Sequence, residues 1–213
     1  MGSERLYTEK KNHLYRNCVD ELTLIECFLN FIEKKVNIMT GFNIDYFDIP
    51  YLVNRCKVLQ HNSIVIRDYL QKYVIKHKGG YKIKHMQLLD YQVIYKKFGK
   101  KLERYSLDFI CKAELGKGKI EYDGKLYELY NKDHDTYIDY NLMDVQLIYE
   151  LEMKCKNFNK ILKITNMCRC LPSDYTSPIK TWDSRLYWYL IRNDVLVPPP
   201  RPFNEKEIEE YLS

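Results

Sequence analysis

No stretch of this chain approaches the roughly 18–20 consecutive apolar residues of a membrane-spanning helix. Such a span is not expected, although hydrophobic residues make up 46% of the 213 positions. That apolar fraction also argues against global disorder. No C-x-x-C pair exists, and the cysteine count is odd at 7. Cys18, Cys27, Cys56, Cys111, Cys155, Cys168 and Cys170 therefore read as free thiols. With no signal peptide in view, they suit a reducing, intracellular compartment. Cys168 and Cys170 lack a second Cys or His pair at finger spacing, which argues against a structural zinc. Internal repeats and low-complexity tracts are absent as well. Strong charge of one sign is lacking: 34 Lys and Arg against 29 Asp and Glu leave a net +5. A mass of 25.8 kDa is enough to bury a substantial core.

What the chain does have is concentrated in two runs. In the first, Val36 to Met39 are mostly apolar, as in a buried strand. Thr40-Gly41-Phe42-Asn43-Ile44-Asp45-Tyr46-Phe47-Asp48-Ile49-Pro50-Tyr51-Leu52 follows. Pro50 fits the first turn of a helix, where its missing N–H costs nothing. The reading is strand, turn, helix, with Asp48 at the junction. A carboxylate there meets the positive helix end and can face a cation or a phosphate. Alternatively, Asp48 is only a helix cap. The second run, Tyr137 to Leu151, has no Gly or Pro and reads as a helix. Tyr140 and Asp144 project from one side of it, with Leu147 and Leu151 continuing the face. A carboxylate can ligate a divalent ion, and a neighbouring phenol can orient the attacking water.

The pattern N-x-x-x-F-D-x-P-Y-L at 43–52 closely resembles the second exonuclease motif of family B DNA polymerases. Y-x-x-x-D at 140–144 resembles the third. Met86-Gln87-Leu88-Leu89-Asp90-Tyr91 with Tyr95-Lys96-Lys97-Phe98 is similar to the strand and helix between them. Tyr105-Ser106-Leu107-Asp108, Gly116-Lys117-Gly118-Lys119 and Tyr122-Asp123-Gly124 are similar to the segment leading into the third motif. Ser177-Pro178-Ile179-Lys180-Thr181-Trp182-Asp183 and the hairpin signal at 72–80 point to the T-even-like bacteriophage type. The resemblance implies an α/β, ribonuclease-H-like exonuclease fold, a mixed sheet flanked by helices. It implies two Mg²⁺ or Mn²⁺ ions held in part by Asp48 and Asp144, with Tyr140 orienting water. Asn43 and Phe47 would shape the path of the terminal nucleotide. One departure matters. The family carries D-x-E on its first strand, and no D-x-E occurs in these residues.

Asp20 is a good N-cap, followed by Leu22, Ile25, Phe28, Leu29 and Ile32 at helical spacing. Residues before this helix do not read as strands, so the domain's first strands are expected to be missing. Lys72, Lys76, Lys78, Lys82 and Lys84 flank Gly79-Gly80, a hairpin turn signal. Lys96, Lys97, Lys100, Lys101 and Arg104 form a second cluster interleaved with Tyr95, Phe98 and Tyr105. Either cluster suits a single-stranded backbone with unstacked bases, or is a solvated lysine-rich face. Ser177 and Pro178 open a helix that runs until Asn193. Pro198-Pro199-Pro200 and Pro202 read as a linker, and Glu205 to Tyr211 as an acidic tail helix.

The expected organisation is a partial 3′→5′ exonuclease domain over 1–176, a helix leading toward the polymerase palm over 177–197, and a linker with tail over 198–213. The resemblance implies a fragment of a virus-encoded DNA-directed DNA polymerase in the infected cell's cytoplasm, binding single-stranded 3′ ends. Its partners would be the remaining polymerase fragments, with no membrane involved, and it would be inactive alone. Two other readings stand: a non-catalytic module that binds single-stranded DNA or a partner, and a gene remnant.

Overall fold

The computed structural model describes residues 7–10, 13–16, 18–77, 79–119 and 126–196. Lys78, the Tyr122-Asp123-Gly124 segment, the prolines at 198–202 and the tail helix at 205–211 lie outside the described residues. The chain divides into two units, Met1–Phe158 and Asn159–Ser213.

The first unit opens with an antiparallel pair, β1 (Tyr7–Lys10) and β2 (His13–Arg16), with Thr8 opposite Tyr15. This corrects the expectation that no strands precede the first helix. Each strand is only four residues long, too short for alternation to stand out. Helix α1 (Glu21–Lys35) starts as its sequence requires. The Asp20 side chain accepts from the Thr23 amide at 2.7 Å, Glu21 sits in the first turn, and Lys34 and Lys35 in the last. Its core face is Ile25, Leu29 and Ile32, while Phe28 stays exposed.

Two strands position the site. β3 (Ile38–Gly41) and β6 (Gln87–Asp90) are parallel and adjacent, with Gly41 opposite Asp90. The crossover between them holds α2 (Asp48–Leu59), α3 (Ile64–Tyr73) and the hairpin β4 (Val74–His77) and β5 (Gly80–Ile83). The hairpin falls where Gly79-Gly80 signalled it. β3 is not buried on both faces, as its apolar approach suggested; Ile38 is exposed. The reason is that β6 is its only ladder partner among the described residues.

Two apolar clusters flank this strand pair. One joins α1, α2 and α3 through Ile32, Val53, Cys56, Ile66 and Tyr69. The other is built by α4 (Tyr91–Phe98), α5 (Leu107–Leu115) and α7 (His134–Cys155). Its fully buried members include Tyr91, Tyr95, Ile110, Leu147 and Leu151. Each such aliphatic side chain contributes about 1.5–3 kcal/mol when removed from water. α6 (Leu126–Lys132) precedes α7. Asp133 caps α7, accepting from the Thr136 amide at 3.0 Å.

α8 (Asn157–Cys168) crosses the boundary between the units. In the second unit, a 3₁₀ turn over Pro172–Thr176 leads to α9 (Pro178–Arg192), which Ser177 caps as expected. Ser184 on α9 donates to the Cys168 carbonyl at 2.8 Å, and Arg169 lies 4.8 Å from the Trp188 ring centroid.

Candidate active site

Ligands of open parallel sheets bind beyond the carboxyl ends of the strands. Here those ends are Gly41 and Asp90, side by side. After Gly41 the chain must turn sharply. A Cβ on Gly41 would lie 2.2 Å from Ile44 Cγ2, so only glycine lets Ile44 fold back and bury. Asn43 sits in the left-handed region at φ 64°, a conformation Asn tolerates better than most residues. Its carbonyl accepts from the amides of Tyr46 (3.3 Å) and Phe47 (3.1 Å). α2 then begins at Asp48, with no side-chain cap from Phe47. Asp48 therefore stands in the helix's first turn, and Pro50 within it.

Tyr46 (77% exposed) and Phe47 (66% exposed) project beside Asp48, and Tyr51 is exposed one turn on. Asp48 is an exposed residue whose carboxyl is partly desolvated; that desolvation raises it above the usual carboxylate range, its own backbone N–H opposes the rise, and the Asp90 charge adds to it. Asp45 is raised by burial and then by the Asp90 charge. A cation beside Asp48 would relieve both effects.

Asp90 is a member of this region that sequence reading passed over. It is 2% exposed. Its Oδ1 accepts from the amides of Asn43 (3.0 Å) and Gln92 (2.9 Å), and its Oδ2 from that of Asp45 (3.4 Å). The signal available was its place at the end of an apolar strand, directly before a helix.

The other candidate residues lie on α7. Tyr140 and Asp144 share a partner that sequence reading also missed. Lys119 Nζ donates to Asp144 Oδ2 at 2.7 Å and to the Tyr140 hydroxyl at 3.3 Å. It lies 5.4 Å from the Tyr140 ring centroid. Burial opposes the lysine's charge, but Asp144 and Tyr140 outweigh it, and its pKa rises above the ordinary value. The lysine is placed by a close approach of its segment to α5. Asp108 on α5 accepts from the Lys119 amide at 3.0 Å. A Cβ on Gly118 would meet Asp108 Oδ1 at 2.3 Å. The Gly-Lys-Gly-Lys spacing was the legible trace of this device.

Asp144 Oδ1 is buried and has no hydrogen-bond partner. An orphaned carboxylate oxygen of this kind fits a hard divalent ion, which takes oxygen ligands. Among the described residues, no group of three or more His, Cys, Asp or Glu is gathered as a metal site. The structure thus brings Tyr140 and Asp144 together around Lys119, and Asp48 together with Asp90.

The lysines behave individually. Lys96 donates to Gln92 Oε1 at 3.1 Å and lies 5.7 Å from the Tyr105 ring centroid. Lys97 lies 5.9 Å from that of Phe98. Lys100 pairs at 3.2 Å with Glu114, whose side chain is buried. Lys101 is exposed. No helix among the described residues is long and apolar enough to cross a membrane.

The sequence pattern of the DNA polymerase family B exonuclease domain matches residues 3–110. The chain is 32% identical over 198 residues to the DNA-directed DNA polymerase of Escherichia phage RB69, covering 88% of this chain and 22% of that protein. It is 32% identical over 185 residues to the DNA-directed DNA polymerase of Enterobacteria phage T4, covering 82% and 20%. With DNA polymerase 1 of Aeropyrum pernix the identity is 32% over 191 residues, covering 85% and 19%. The chain spans a fifth or so of the length of these relatives. With a match over half of its residues and both motif segments in mixed α/β surroundings, the chain belongs to the family B DNA polymerases, through their exonuclease domain.

Proposed function

We propose that this chain forms part of a proofreading 3′→5′ exonuclease with a ribonuclease-H-like fold, acting on the single-stranded 3′ end of DNA. The observation that carries this is Asp144: a buried carboxylate oxygen without a partner, beside a phenol four residues back on the same helix. Asp144 and Asp48 would hold Mg²⁺ or Mn²⁺. Such ions supply Lewis-acid stabilisation of charge on a phosphodiester and lower the pKa of bound water. The chain's own residues do the rest. Lys119 ties Tyr140 and Asp144 into one unit, so the phenol is held where it can orient water. Tyr46, Phe47 and Tyr51 offer exposed rings on which terminal bases can stack. Lys96, Lys97, Lys100 and Lys101 would contact backbone phosphates, Lys100 while also paired with Glu114.

Only two of the expected carboxylate ligands are in this sequence, so metal binding is weak and cleavage by the chain alone is negligible. Its partners would be other polymerase regions: a segment carrying D-x-E, and palm, fingers and thumb. An exposed stripe on α9, with Ile179, Trp182, Leu186 and Tyr189, suits such a partner. On this reading 1–176 is the exonuclease part, 177–197 leads toward the palm and 198–213 is a Pro-rich linker with an acidic tail, and the protein acts in the infected cell's cytoplasm. A non-catalytic module binding single-stranded DNA or a partner is the second reading. The ion pair of Lys119 with Asp144 favours it, because a cation already sits on the would-be ligand.

A 3′-end degradation assay tests the choice. The purified chain is assayed alone and with a companion polypeptide carrying the D-x-E strand, in Mg²⁺ or Mn²⁺. Cleavage restored by the companion and abolished by Asp144→Ala supports the exonuclease. DNA binding without cleavage in any mixture supports the second reading.

A further inference from the structure

From the contacts of Asp90 we infer that this residue is a positioning residue, which sets the turn between β3 and α2 and so aims Asp48 at its metal ion. The inference rests on the proposed role of Asp48. As an N-cap alone, Asp90 would need to satisfy only the Gln92 amide, and serine could do that. Its other two bonds leave its own helix and cross to the neighbouring strand's turn, at Asn43 and Asp45. Together the three amides fix both carboxylate oxygens in a site that is 2% exposed.

No side-chain cation is among these partners, so backbone N–H dipoles alone solvate the charge there. Its charge also raises the carboxyls of Asp45 and Asp48. A buried charge with two acidic neighbours is costly for folding. Its benefits fall on the turn. Pinning the Asn43 amide holds that residue in its left-handed conformation. The Asn43 carbonyl then gathers the amides of Tyr46 and Phe47, and α2 starts at Asp48 in one rotational phase. The same charge deepens the negative potential that a divalent ion would meet at Asp48.

Two variants separate this role from simple stability. Asp90→Asn keeps the shape but turns one acceptor into a donor facing an N–H. Asp90→Ser keeps a cap for α4 but cannot reach across to the turn. Mn²⁺ is titrated into the 213-residue chain and both variants, following paramagnetic broadening of amide signals. Amide hydrogen exchange at Asn43 and Asp45 is measured without metal, with signals of core residues such as Ile66 and Ile110 as the check on folding. The expected result is broadening around Asp48 in the unaltered chain, a 10–100-fold weaker Mn²⁺ affinity in both variants, as for losses of partners behind metal ligands, and faster exchange at Asn43 and Asp45. Unchanged affinity in a variant with intact core signals overturns the inference while leaving Asp48 as a ligand. Unchanged exchange at the two amides overturns it as well. Absence of broadening in the unaltered chain overturns both the ligand role of Asp48 and the inference built on it.

Discussion

Asp48 carries a cost in the folded state. Its folded pKa lies above its unfolded one because partial desolvation of the carboxyl and the Asp90 charge disfavour ionisation more than its backbone hydrogen bond favours it. The sign follows: above both values the folded state is penalised, and the penalty disappears as pH falls and both states protonate. Asp48→Asn should therefore raise Tm at pH 7, with the gain vanishing toward about pH 3. Thermal melts of the two proteins across that range check it; a lower Tm for the variant at pH 7 would contradict the assignment. Lys119 makes the opposite kind of contribution, as a cation held against Asp144. Lys119→Met should lower Tm and tighten Mn²⁺ binding several-fold, since a competing charge leaves the ligand. Calorimetry with equal or weaker Mn²⁺ binding would show that Asp144 does not face the ion.

Among the elements, the α3–β5 region holds a polar group inside an apolar setting. His85, in the turn after β5, bonds the Tyr69 hydroxyl at 2.8 Å and packs edge-on against Tyr73 at 4.6 Å. Tyr73 donates to Glu33 on α1 at 2.5 Å, and Lys72 approaches the same carboxylate at 3.4 Å. Burial lowers the His85 pKa, Glu33 opposes this, and Lys72 adds to the lowering. The unfolded chain therefore binds this proton first. Stability is untouched above about pH 7 and falls as pH drops below about 6.5, the ordinary histidine value. His85→Gln should remove that part of the acid loss in denaturant titrations at pH 7.5 and 5.5; an identical slope in both proteins would refute it. A lone histidine in a tyrosine-rich segment gave no warning of this cluster, because its partners come from α1 and α3.

At the scale of the molecule, the lysine clusters must either track a nucleic-acid backbone or merely face water. Lys100 is a poor choice for the test, because losing it removes one of the partners of the buried Glu114, leaving the Tyr95 hydroxyl at 2.7 Å and Lys154 at 3.9 Å. Burial pushes the Glu114 carboxyl up, but Tyr95, Lys100 and Lys154 bring it below the usual range. Replacing Lys96, Lys97 and Lys101 by Gln leaves that core untouched. If they contact phosphates, the slope of log affinity against log salt for single-stranded DNA falls by up to about 2, at about 0.7 per contact. A slope unchanged by the replacement would return these lysines to solvent.

Much was legible without the fold. Local rules fixed α1 with its Asp20 cap, the hairpin at Gly79-Gly80, and α9 behind Ser177 and Pro178, because capping and turn chemistry act over a few residues. The strand–turn–helix around Asp48 and the helix carrying Tyr140 and Asp144 were likewise set by short-range pattern. What the tertiary structure decided was partnership. Asp90 meets Asn43 and Asp45 across 47 and 45 residues of chain, and Lys119 meets Asp144 across 25. Those separations carry no periodic signal in sequence. The exposed outer side of β3 was hidden for the same reason: a strand's apolar run records what it can bury, while its burial depends on which strands pair beside it.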